Sequence, residues 1–519
     1  MKKLFIFISF LFLGLITFAQ SLETIDWGPL TELPKFSLYQ KIIGGNDDGF
    51  YAIKTIGQDI YLDYISSTTM SVDQSNQLLM PTVSGMQTHY ENIFYLSGKL
   101  VLFTSVVNKA AGKKFLYIMY VNGDGTLKNK PKKVASLSVS NAPEDGFDFL
   151  LSPDGKKVYL YYHTSYKVYN GEPFSVKVFD ASLQTVLEAN FKLPLKNRPV
   201  EITKYEVGKS GNLYMMVKAK QVSAKKSRTK KAAKYDFMVM TFYAKTKGIK
   251  QFNVRLLKNI PHSVTFGLDK DENIVVVGFS AAKTSRVAGQ FTGAFYKKFN
   301  PRTQKEIPIG GKNYFIIFDK KSIADFMTPR NGETPKQQYN YVLKDVKFLA
   351  NGSIVLLTEQ YFETYKIIKD PATKKSITIT YYHFNDIFSV GVNRKGKMEW
   401  FKRIPKNQES FDDKGYYHSF YYTVIDNKIK IILNDNPSNK KDTPAKKIKV
   451  LRNNPNRAPK GKAFIVTMYT DGSYEKDPMF PDKDAKTVIV PKLIKKIGDF
   501  YYTYGQQGKK FKFGRFTME

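Results

Sequence analysis

The chain has no cysteine among its 519 residues. Disulfides, thiol nucleophiles and cysteine-based zinc sites are therefore excluded. So is a lipid anchor carried on a cysteine after a leader. A chain of this length can bury a large core without covalent staples. Histidine is scarce, with five residues, and tryptophan scarcer, with two. His-Glu-x-x-His, Gly-x-Ser-x-Gly and the phosphate-binding Gly-x-x-x-x-Gly-Lys-Ser/Thr are all missing. No segment after residue 20 is apolar for long enough to cross a bilayer. Acidic residues are also few, 46 against 81 Lys and Arg, which leaves a net charge of +35.

The first residues follow a different pattern. Lys2 and Lys3 precede an apolar run from Leu4 to Ile16, and Thr17-Phe18-Ala19 places small residues at a cleavage site. This is the layout of a secretory signal peptide. Residues 1–19 are expected to be removed and residues 20–519 to form the mature domain. The expected location is periplasmic or extracellular, and not that of a lipoprotein.

The rest of the chain repeats one unit: an apolar strand, a tight turn, and an aromatic or β-branched strand. The turns are Asp48-Gly49, Ser97-Gly98, Asp154-Gly155, Ser210-Gly211, Asp271-Glu272-Asn273, Asn351-Gly352, Asp426-Asn427 and Ile497-Gly498-Asp499. Short strands recurring over a whole chain predict an all-β fold, a single β-propeller of four-stranded blades. The count favours eight blades. Seven stays open because 301–341 does not divide cleanly, and a two-domain all-β protein is the structural rival. That stretch holds a candidate strand, Asn313–Asp319, and a candidate helix, Lys321–Met327. The last blade lacks a fourth strand, and the spare segment Glu23–Leu30 is expected to supply it and close the ring.

Two resemblances accompany this reading. Leu151-Ser152-Pro153-Asp154-Gly155-Lys156-Lys157-Val158 resembles the hairpin of TolB/WD40-like propeller repeats. The C-terminal half is similar to uncharacterised secreted β-propeller-like proteins of Bacteroidetes-type bacteria. The stretches that carry this are 352–360, Trp400-Phe401-Lys402-Arg403-Ile404-Pro405-Lys406 and 508–516. The resemblance implies fold and location, and it brings no active site.

Connections between second and third strands are long and basic. They include Lys220–Tyr235, Gln360–Phe384 and Asp435–Gly461, all on one face of the expected ring. Lys225, Lys226, Arg228, Lys230, Lys231 and Lys234 fall in one. Lys440, Lys441, Lys446, Lys447, Lys449 and Arg452 fall in another, against Asp442 alone. These residues form either a solvated rim or a polycation that concentrates an anionic ligand. The partner expected is an anionic envelope glycan or an envelope protein, bound without catalysis. No specific nucleic acid is expected, since Lys-rich segments alone bind it only non-specifically. The alternative is a polysaccharide lyase or hydrolase on acidic glycans. It would use His383 or His418 with Tyr382 or Tyr417 as base and acid. No metal or cofactor is expected.

Overall fold

The computed structural model describes residues 25–139, 146–162, 173–193, 195, 200–221, 235–256, 259–282, 291, 293–308, 315–317, 340–370, 373, 375–452, 460–481 and 486–518. Among them the chain forms eight sheets of four or more strands and one two-stranded hairpin. The sheets follow one another along the chain. They span 37–77, 89–138, 147–192, 200–254, 259–317, 341–411 with 451–452, 420–478, and 488–516 with 25–32. We number them sheets 1 to 8. Among the described residues no helix is long and apolar enough to cross a membrane.

Sequence pattern accounts for the strands. In Leu213–Lys220, Leu213, Met215 and Val217 enter the core shared with sheet 3. The alternate Tyr214 and Met216 enter the core shared with sheet 5. A strand buried on both faces must be apolar at every position, and the second strands read that way. Each sheet shares a core with the next, and sheet 8 shares one with sheet 1. In that last core Tyr39 and Phe50 meet Tyr502, Tyr504 and Phe513. Each fully buried aromatic contributes roughly 1.5–3 kcal/mol of transfer free energy.

The tight turns lie where the sequence places them. Ser97 and Gly98 have φ of 48° and 81°, and Asp426 and Asn427 have 46° and 63°. Two successive positive φ values match the twist of a two-residue hairpin, and Gly and Asn tolerate them best. Strand Ile25–Trp27 pairs antiparallel with Gly514–Phe516, as the outer strand of sheet 8. Trp27 caps this pairing edge-on against Phe480, at 5.2 Å between ring centres.

One expectation needs correction. Gln360–Phe384 is largely strand, because Ile354–Lys369 and Ser376–Val392 continue as a paired ribbon past the body of sheet 6. Its runs of Tyr, Thr and Ile favour extended backbone despite the flanking lysines. Ahead of the Ile497-Gly498-Asp499 turn, a 3-10 turn at Pro491–Leu493 separates the strands Val488–Ile489 and Lys495–Ile497, since Pro491 cannot donate to a ladder. Tyr417 and His418 precede the first strand of sheet 7, which begins at Phe420. Of Asn313–Asp319, Phe315–Ile317 is a strand paired with Gly293–Phe295. The segment Lys321–Met327 lies outside the described residues.

Candidate functional site

The site is built at the end of sheets 6 and 7 that carries the long connections. The third strand of sheet 6 pairs with Gln408–Phe411, which pairs in parallel with Leu451–Arg452. Register therefore aligns Phe362, His383, Glu409 and Arg452 in one row across four strands. Arg452 Nε donates to Glu409 Oε1 at 3.1 Å. His383 Nδ1 lies 3.7 Å from Glu409 Oε2, and its Nε2 is 2.9 Å from Thr364 Oγ1. The imidazole stacks on Phe362 at 4.5 Å.

The connection after Asp435 is folded rather than loose. Asn439 is buried, and its side chain bonds Asp435 Oδ1, the Lys449 carbonyl and the Lys449 N–H, each at 2.8 Å. Lys476 ties the base with a 2.6 Å bond to buried Asp435. Leu451 inserts into the interior, and Ala445–Lys447 forms a 3-10 turn. Lys440, Lys441, Lys446, Lys447, Lys449 and Arg452 are all exposed on this scaffold. Lys441 leans over the Tyr474 ring at 5.9 Å. Lys225, Lys226, Arg228, Lys230, Lys231 and Lys234 lie outside the described residues.

Beneath the scaffold sits a largely buried ionic cluster. Lys406 is fully buried and donates to Glu359 at 2.6 Å, to the Phe384 carbonyl at 2.9 Å and to Gln408 at 3.1 Å. The other Glu359 oxygen accepts from Lys344 at 2.8 Å and from Ser419 at 2.7 Å. Burial pushes the Glu359 carboxyl up, but the Lys406 and Lys344 charges outweigh it and hold it below its ordinary range. Asn434, also fully buried, bonds the Tyr417 and Ile489 carbonyls and so joins sheets 7 and 8. A buried charge is tolerated only when paired this completely.

The four residues considered for acid–base chemistry do not form one centre. Tyr382 and His383 are consecutive in a strand and project from opposite faces. Phe384, not His383, is the neighbour of His418, at 6.1 Å between rings. His418 is 1% exposed, and neither ring nitrogen has a hydrogen-bond partner among the described residues. Burial first, then the Lys406 and Lys492 charges, holds its imidazole down at about 3. Tyr417 is buried and donates to Gln506 at 2.5 Å. Sequence reasoning missed Glu359, Lys406, Asn434, Asp435 and Asn439. The only available signal for the last pair was an Asp and an Asn four residues apart at the start of a long connection. Among the described residues no three metal-ligating side chains converge.

No family model matches the sequence, and no curated protein matches it. Solved structures that resemble it include β-propellers. The β-propeller domain of the Trilobed protease from Pyrococcus furiosus is 10% identical, covers 83% of this chain and 96% of its own, and has a TM-score of 0.32. The Dos1 propeller is 10% identical over 82% of this chain and 94% of its own, with a TM-score of 0.34. A polysaccharide lyase described as an ulvan lyase is 10% identical over 93% of this chain and 95% of its own, with a TM-score of 0.37.

Proposed function

We propose that the protein is an exported, non-catalytic β-propeller of eight blades that binds an anionic envelope glycan through its basic long-connection end. The Lys2–Ala19 leader pattern supports export. The succession of eight sheets, each sharing a core with the next, supports the blade count. The Ile25–Trp27 strand on sheet 8 supports closure of the ring by the N-terminal segment.

The observation that carries the binding reading is the anchored loop. Six cationic side chains stand exposed on a segment fixed from below by buried Asn439 and the Asp435–Lys476 pair. A solvated loop needs no such anchorage. Charges fixed in place lose less entropy on meeting a polyanion than charges on a mobile loop. The surrounding net charge of +35 adds a long-range field of the same sign.

The test is retention on polygalacturonate beads against neutral dextran beads, across a salt series. Replacing Lys440, Lys441, Lys446, Lys447 and Lys449 together by Gln should weaken retention on the acidic polymer by about tenfold or more and flatten its salt dependence. Equal retention by the variant and the parent would sink the reading.

A further inference from the structure

The opposite end of the sheets holds a cleft between sheets 1 and 2, of about 450 Å³. Four tyrosines line it: Tyr51 and Tyr64 from sheet 1, Tyr95 and Tyr120 from sheet 2. The Tyr51 and Tyr64 rings lie 5.1 Å apart at 54°, and Tyr51 and Tyr95 lie 6.1 Å apart at 32°. The Tyr120 ring is fixed because its hydroxyl donates to the Ala181 carbonyl at 2.7 Å. The hydroxyls of Tyr51, Tyr64 and Tyr95 have no hydrogen-bond partner among the described residues. All three side chains are half-buried.

Two glycines make room for these hydroxyls. A Cβ at Gly123 would come within 2.9 Å of the Tyr51 oxygen, and one at Gly49 within 2.5 Å of the Tyr64 oxygen. Lysines border the cleft. Lys99 Nζ sits 5.1 Å from the centre of the Tyr120 ring, and Lys128 lines the wall. Neither has an ion-pair partner among the described residues. The Asn46 and Asn122 amides complete the lining.

We propose that this cleft binds a single acidic sugar ring, a pyranose bearing a carboxylate or a sulfate. Tilted aromatic faces offer the apolar surface on which the C–H face of a pyranose packs. The unengaged phenol hydroxyls of Tyr51, Tyr64 and Tyr95 match its hydroxyl groups, and the lysines match its charge; the Asn46 and Asn122 amides are held by Asp48 and Thr126. A packing aromatic would be closed off by its neighbours, whereas Tyr51, Tyr64 and Tyr95 converge on the cleft with their hydroxyls unbonded among the described residues. The site lies at the other end of the sheets from Lys440–Arg452 and does not rest on the role of that loop.

The test is ligand-observed NMR and calorimetry on the full chain, with sodium glucuronate, glucose and inorganic sulfate as separate probes. Glucuronate should bind saturably. Tyr51→Ala and Tyr95→Ala should each weaken it by about tenfold or more. Lys99→Gln should weaken glucuronate and leave any glucose binding unchanged. The fivefold Lys-to-Gln loop variant should bind glucuronate as the parent does, which separates this site from the loop. Gly123→Ala, which crowds the Tyr51 hydroxyl without removing a ring, guards against misfolding of the larger truncations and should also weaken binding. Absence of saturable glucuronate binding would overturn the proposal. So would binding that sulfate alone displaces fully and that the tyrosine variants leave unchanged, because that describes a bare cationic patch.

Discussion

The two ends of the sheets are built on opposite principles. At one end, short turns close the hairpins, as few as two residues at Ser97-Gly98 and Asp426-Asn427, and order is local, set by positive φ at positions such as Gly98 and Asn427. At the other, connections of many residues are held by groups far apart in sequence. Glu359 meets Lys406 across 47 positions, and Asn434 meets the Ile489 carbonyl across 55. A local turn stands on its own backbone preference. A long connection stands only if buried polar partners fix it, and those partners make its failure cooperative.

The sharpest way to break this contrast is Lys406→Met, which leaves the Glu359 carboxylate buried beside Lys344 and Ser419 alone. Loss of one of the two cationic partners of this buried carboxylate should cost about 3–5 kcal/mol in denaturant unfolding. The same pair sets an acid dependence. The folded-state value of Glu359 is depressed, so its contribution is fully present above the ordinary carboxylate value and is lost as pH falls through the lower, folded one. Unfolding midpoints measured from neutral to acid pH should show this loss, and Glu359→Gln should flatten that part of the slope. A Lys406→Met protein of parental stability would mean that the long-connection end does not depend on its buried ion pair.

An intermediate effect is expected one layer out. Asn439→Ala removes three bonds that fix the basic loop and should cost about 1–3 kcal/mol. Limited proteolysis should then cut within 440–450 before the rest of the chain. The smallest effect belongs to the tight-turn end. Gly98→Ala meets no steric obstacle but must hold a φ of 81°, at a cost of about 1 kcal/mol and with no new cleavage site. If Gly98→Ala proved as damaging as Asn439→Ala, the distinction between local and distributed order would fail.

How much of this the sequence discloses follows the same division. Strands such as Asp59–Ser66, His89–Leu96 and Lys113–Val121 have the bounds that their alternation and turn residues predict. These signals act over a few residues and can be read from a few residues. Lys406 carries no such signal, because lysine is ordinarily exposed and only the fold brings Glu359 and Gln408 around it. The ribbon beyond Tyr361 was hidden differently. Its lysines suggested a loop, while Thr364, Ile368, Ile377 and Ile379 already carried extended-chain preference. Tyr51, Tyr64, Tyr95 and Tyr120 look like core aromatics in sequence. Only the placement of their hydroxyls sets them apart.

The pairing of Ile25 with Phe516 also bears on when the molecule can become whole. A chain made from its N-terminus must keep Ile25–Trp27 waiting until Gly514–Phe516 has emerged. Bringing such distant segments together costs loop-closure entropy that grows only slowly with length, but it places this contact late among folding events. Until then, the last sheet exposes the open edge of Lys510–Phe516 and the first strand stays unpaired, which is when strand-swapping between neighbouring copies competes. Completion of the last sheet therefore waits on the meeting of Ile25–Trp27 with Gly514–Phe516.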